Sequence, residues 1–138
     1  MSDQAGLDML FDVARAAREQ AYAPYSKYKV GAAICTPDGR VFVGCNVENA
    51  AYPVGTCAEA GAIAAMIQGG AARIAAIAVI GSGPDICTPC GGCRQRIREF
   101  AAPDAIIAMT NADMGSKLVC TMDEILPHAF GPDHLPGA

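Results

Sequence analysis

The sequence predicts an α/β fold, a three-layer α-β-α sandwich around a five-stranded mixed sheet. Three observations lead there. Helical and extended patterns alternate in the order αββαβαββα, which fits a mixed sheet held between helices. The segment "RIAAIAVIGS" is a continuous apolar run, as expected of a strand covered by helices on both faces. A chain of 138 residues, 52% hydrophobic and 17% charged, is long enough to bury a core in one domain spanning residues 1–138.

From Leu7 to about Tyr22, apolar residues recur at helical spacing through Leu7, Leu10, Phe11 and Ala14, which predicts an amphipathic helix ended by "APYS". "KVGAAICT", "PDGR" and "VFVGCNVEN" read as strand, turn and strand, with Asp38-Gly39 marking a hairpin. "CAEAGAIAAMIQGG" reads as a helix closed by Gly69-Gly70. Its sides are almost uniformly apolar, so it should be buried all round, in the core or under another subunit. After the central strand, "CGGCRQRIREFA" is a second short helix. Strand "AIIAMT", turn "NADMG", strand "KLVC" and a short helix near "MDEIL" follow, and the tail "PHAFGPDHLPGA" is Pro/Gly-rich and irregular.

The bulk properties exclude several classes. Net charge is −4 and Lys and Arg do not cluster, which disfavours a nucleic-acid polymer but not a free nucleoside. The N-terminus "MSDQAGLDML" lacks the pattern of a signal peptide, and no apolar stretch reaches membrane-spanning length. A cytoplasmic, reducing location is expected, where Cys-X2-Cys spacing reads as metal or redox chemistry before disulfide.

Three of the seven cysteines lie in "CTPCGGC". With Thr88 as N-cap and Pro89 as first helical residue, Cys90 and Cys93 share one face of the first turn. Helix N-termini stabilise thiolates, the form that ligates zinc, although a thioredoxin-like redox pair has the same spacing. Cys57, which also opens a helix, favours the metal. Three protein ligands leave zinc a fourth position for water, the mark of a catalytic rather than a structural site. Cys87 is the residue that could close that position. Glu59 has two readings: Thr56-X-X-Glu59 matches a capping box, whereas a helix that starts at Cys57 itself would let Glu59 serve as general acid/base. Asn46 and Glu48, two apart on a strand, share a face and can grip a diol.

Taken together, "CAE" and "PCGGCRQ" resemble the signature of zinc-dependent nucleoside and nucleobase deaminases. "YAPYSKYKVGAA", "GCNVENAAYP" and "LPHAFGPDHL" narrow the resemblance to small homotetrameric cytidine deaminases, from about Tyr22 to Leu135. The resemblance implies one Zn²⁺ per subunit on Cys57, Cys90 and Cys93, with Glu59 as proton shuttle contacting N3 of the base. It implies hydrolysis of cytidine and 2′-deoxycytidine to the uridines with release of ammonia. It assigns the ribose hydroxyls to Asn46 and Glu48 and places Ala58 at the substrate. Packing on the base falls to Tyr28, where the family usually has Phe, and to Phe130, which in relatives comes from a neighbouring subunit, as Tyr52 would too.

One departure concerns charge. Relatives with three cysteine ligands often carry Arg directly after "CAE", hydrogen-bonded to the thiolates; here that position is Ala60. Three thiolates on one Zn²⁺ leave a net −1, and Arg94 is the residue expected to offset part of it from behind the ligands. His128 and His134 have no ligand spacing. Two alternatives stand beside cytidine deamination. Deaminases of the modified nucleoside blasticidin S also carry Ala after "CAE", but they lack "NVENAAYP" and "AFGP". A zinc-stabilised binding module would use Cys87 as a fourth ligand and Glu59 merely as a cap.

Overall fold

A computed structural model describes residues 3–137. The order is α1 (Gln4–Arg18), β1 (Gly31–Cys35), β2 (Val41–Cys45), α2 (Ala58–Gln68), β3 (Ile74–Ile80), α3 (Gly91–Phe100), β4 (Ala101–Thr110), β5 (Lys117–Thr121) and α4 (Met122–Ile125). Short 3-10 turns cover Tyr52–Val54 and Pro132–His134. The five strands form one sheet in the order β2-β1-β3-β4-β5. Only β3 and β4 run parallel, with α3 as their crossover; the other neighbours are antiparallel, so the sheet is mixed as expected.

Strand alternation sorts the core into two layers. Ala33, Cys35, Ala76, Ala78 and Ala108 face α1, which buries Leu7, Leu10, Phe11 and Ala14 against them. Ile34, Ile77, Val79, Ile107 and Met109 face the other way, against Ala62 and Met66 of α2, Ile97 of α3 and Met122 of α4. Small residues on the first face let α1 approach closely. The second face is bulky and carries the helices whose N-termini form the site. The tightest contact there is at Gly44 of β2, where a Cβ would stand 2.8 Å from the Gly61 carbonyl carbon and closer still to Ala62 N and Ala58 O. Glycine at 44 therefore sets how near α2 lies to the sheet.

Several boundaries differ from the sequence expectation. Helix α1 starts earlier, capped by the Asp3 side chain, which accepts from Gly6 N at 3.2 Å, and it stops at Arg18 rather than near Tyr22. Its extension is lost because Tyr22 donates to Asn46 O and accepts from Glu48 N, at 3.0 and 2.9 Å. Strand β2 ends at Cys45, not Asn49; beyond it Val47 makes isolated bridges to Tyr22 and Thr56. Strand β4 begins four residues early, at Ala101, across a register shift opposite Ile74/Ala76. Helix α2 is buried on one side only, since Ala64 is exposed and Ile67 is 46% exposed in the single chain. Among the described residues no helix is long and apolar enough to cross a membrane.

Candidate metal centre and active site

Helices α2 and α3 point their N-termini at one another. Their N-cap residues are Cys57 (φ −82°, ψ 159°) and Cys90 (φ −65°, ψ 168°), both extended and neither capped by a side chain. This corrects two local expectations. Thr88 and Pro89 lie outside α3, and Thr56 does not cap α2, so no Thr56–Glu59 capping box forms. A cysteine at the N-cap projects its sulfur over the first turn, where unpaired amides gather. Cys93, the third residue of α3, brings a further sulfur from the same turn.

The sulfurs of Cys57, Cys90 and Cys93 all lie within 4.8 Å of one another. Tetrahedral zinc with Zn–S of about 2.3 Å separates its sulfurs by about 3.8 Å, so the three side chains fit such an ion with small adjustments. The chemistry of the donor set agrees. Burial raises the thiol pKa of Cys57 and, more strongly, that of Cys93, where the nearby acidic groups Glu59, Cys57 and Cys90 add to the effect. Cys90, which is exposed, is lowered by hydrogen bonding from the amide of Cys93. Two thiols that resist ionisation, crowded against a third that does not, form a donor set that a divalent cation stabilises. Cys87 stays outside the cluster, so a four-sulfur site is not formed. All seven cysteines are free thiols.

The sulfurs open on a cavity of about 560 Å³, within the range of small-molecule sites. Glu59, only 4% exposed, faces the same cavity. As the second residue of α2 behind an extended Cys57, it escapes the divergence that two residues apart would have inside a helix. Burial raises its pKa, while hydrogen bonds from its own amide and from Cys93, and the charge of Arg96, oppose the shift. Buried Ala58 completes this wall.

Asn46 and Glu48 line the same cavity and share a face, because the bridges of Val47 keep their backbone extended. Both are held rigidly by the segment before β1. Asn46 Oδ1 accepts from Val30 N at 2.9 Å, and its Nδ2 donates to Tyr28 O at 2.8 Å. Glu48 Oε1 accepts from the amides of Tyr25 and Ser26 at 3.0 and 3.1 Å, and Oε2 accepts from the Ser26 hydroxyl. Each group keeps spare capacity: one amide hydrogen and acceptor lone pairs remain for a ligand diol. Ser26 and Tyr25 were not singled out in the sequence, because their role arises only where the loop folds onto Glu48.

Other expected site residues lie elsewhere. The Tyr28 ring is outside the cavity lining and packs by Gly83, with its hydroxyl beside Cys87; burial and Cys87 raise its pKa. In this chain Tyr25 and Tyr52, with ring centroids 6.0 Å apart, supply the aromatic wall instead. Phe130 is 56% exposed and stacks on His134 at 5.3 Å, away from this chain's own cavity. Arg94 does not reach the sulfurs: its Nε donates to Pro89 O at 2.8 Å and its Nη1 to Ile125 O at 3.0 Å. The guanidinium at the cluster is Arg96, whose Nη1 lies 3.7 Å from Cys93 Sγ. The available signal was its position three residues after Cys93, on the same helix face.

The comparisons with known proteins agree with this geometry. Residues 6–109 match the family described as the cytidine and deoxycytidylate deaminase zinc-binding region. The crystal structure of cytidine deaminase from Burkholderia pseudomallei superposes with a TM-score of 0.84 at 46% identity, covering 89% of this chain and 98% of that one. Cytidine deaminase from Sporosarcina psychrophila is 39% identical over 129 residues, 94% of each chain. The crystal structure of cytidine deaminase from Mycobacterium tuberculosis gives a TM-score of 0.78 at 36% identity, covering 90% of this chain and 96% of that one. With its zinc-binding region and its fold both matched, the chain belongs to the zinc-binding family of cytidine and deoxycytidylate deaminases.

Proposed function

We propose that this protein is a single-domain hydrolase that deaminates cytidine and 2′-deoxycytidine to uridine and 2′-deoxyuridine, releasing ammonia, as in pyrimidine salvage. The observation that carries it is one cavity holding three clustered thiols, a buried carboxyl and a preorganised amide–carboxylate pair. Cys57, Cys90 and Cys93 would hold a zinc ion, which would supply the Lewis acidity that lowers the pKa of water toward neutrality.

The chain's own residues do the rest. Asn46 and Glu48 anchor the sugar hydroxyls, so the base extends toward the sulfurs. Glu59 takes a proton from water and delivers it to N3 of the cytosine as the water oxygen adds to C4; it then carries the remaining hydroxyl proton to the exocyclic amine, so the C4–N bond breaks, ammonia leaves and the C4 carbonyl forms. A buried carboxyl with a raised pKa suits both directions of transfer. Ala58 and the tyrosines exclude water around the ring.

A homotetramer in the cytoplasm fits the same reading. The apolar residues left bare on α2, together with Phe130 and Tyr52, would be covered by neighbouring subunits that complete each other's cavities. The free thiols suit a reducing compartment.

Loss of cytidine absorbance, measured alongside zinc content for wild type and Glu59→Gln, tests the assignment. The variant should retain zinc and lose at least about 10²-fold in kcat. Equal turnover by wild type and variant, or turnover of blasticidin S without cytidine, would refute it.

A further inference from the structure

Three thiolates around a divalent cation carry a net negative charge, and Glu59 lies in the same pocket. Ala60 contributes no charge to offset it. Arg94 is committed to the carbonyls of Pro89 and Ile125. Arg96 is placed differently. Its Nη1 reaches Cys93 Sγ at 3.7 Å, and the guanidinium folds back along α3 over the first turn. A Cβ at Gly92 would stand in ordinary contact with Arg96 Nη1 at 3.4 Å and Cys90 Sγ at 3.9 Å, so the guanidinium passes over this glycine. Arg96 is exposed while Cys93 is buried, so the charge reaches the cluster from the solvent side of α3.

We propose that Arg96 is a positioning residue of the metal centre, donating an N–H···S hydrogen bond to the Cys93 thiolate and offsetting the cluster's charge from α3 where Ala60 of α2 cannot. The guanidinium suits this because it remains protonated and offers several donors in a plane. A thiolate that accepts such a bond is a weaker electron donor. The ion it holds is then a stronger Lewis acid, and the three sulfurs remain together at lower cost in repulsion.

This inference rests on the zinc reading of the cluster, and the test separates the two. Purified holoenzyme, as wild type, Arg96→Gln and Arg96→Lys, is titrated with a competing chelator to obtain zinc affinity. The cobalt(II)-substituted forms are compared by their sulfur-to-cobalt charge-transfer absorption. Arg96→Gln should bind zinc about 10–100-fold more weakly. Its charge-transfer band should move to longer wavelength, because a sulfur without its N–H···S bond gives up electron density more readily. Arg96→Lys should lie between, and it carries the test if Arg96→Gln does not fold. Wild-type affinity and an unmoved band in the variants would overturn the role of Arg96. A wild type that holds neither zinc nor cobalt would instead overturn the zinc reading.

Discussion

Gly44→Ala tests whether the distance between α2 and the sheet controls the chemistry. The added methyl would stand 2.8 Å from the Gly61 carbonyl carbon and nearer to Ala62 N and Ala58 O, all backbone atoms of α2. Backbone cannot swing aside as a side chain can. To restore an ordinary contact of 3.4 Å, α2 must retreat by on the order of 1 Å. Ala58 opens α2 directly beside Cys57 and Glu59, so the retreat displaces a metal ligand and the proton shuttle together. A misplacement of that size costs about 10²-fold in rate. Overpacking also costs about 1–3 kcal/mol of stability. Gly61→Ala on the same interface is the control. Its Cβ would meet nothing nearer than 3.6 Å, so the better helix propensity should leave the protein unchanged or up to about 1 kcal/mol more stable. Steady-state kinetics on cytidine and thermal melts of both variants measure the contrast. If Gly44→Ala turns over and melts like wild type, the claim that Gly44 sets the position of α2 is wrong.

Three further outcomes follow from the site. The Ser26 hydroxyl, followed by its amide, holds the Glu48 carboxyl below the ordinary carboxylate range, so Glu48 stays charged as pH falls through that range. Ser26→Ala should raise that pKa, and the acid-side rise in KM for cytidine should begin at higher pH than in wild type. Asn46→Asp replaces the donor 2.8 Å from Tyr28 O with a second acceptor, and should cost about 1–3 kcal/mol in melts and raise KM. Cys57→Ser removes one of the three clustered thiols and should abolish stoichiometric zinc binding together with activity, as metal analysis of the purified protein would show.

Patterns that repeat along one element were legible in the chain itself. Helical spacing identified Leu7, Leu10, Phe11 and Ala14, and all four are buried against the sheet. The succession of helices and strands along the chain, the hairpin at Gly39 and the short final helix were equally readable, because periodicity and turn chemistry are local properties. The convergence of Cys57, Cys90 and Cys93 was legible as well, whereas spacing alone left Glu59 open between a helix cap and an acid/base.

What the tertiary structure alone decided was how those starts are built and what surrounds them. Thr56 and Thr88 are good N-caps by propensity, yet Cys57 and Cys90 occupy the caps, because the packing of α2 against Gly44 and the arrival of the 87–90 segment beside Thr110 fix where each helix begins. The termination of α1 before Tyr22 followed from a pairing with residues some two dozen positions away in the chain. Arg94 and Arg96 are equally basic and two apart; only the packed helix shows that the first turns to backbone carbonyls and the second to a sulfur. Local composition encodes which elements form and which residue types they carry, whereas contacts between distant segments depend on how closely those elements approach, a quantity no short stretch of chain contains.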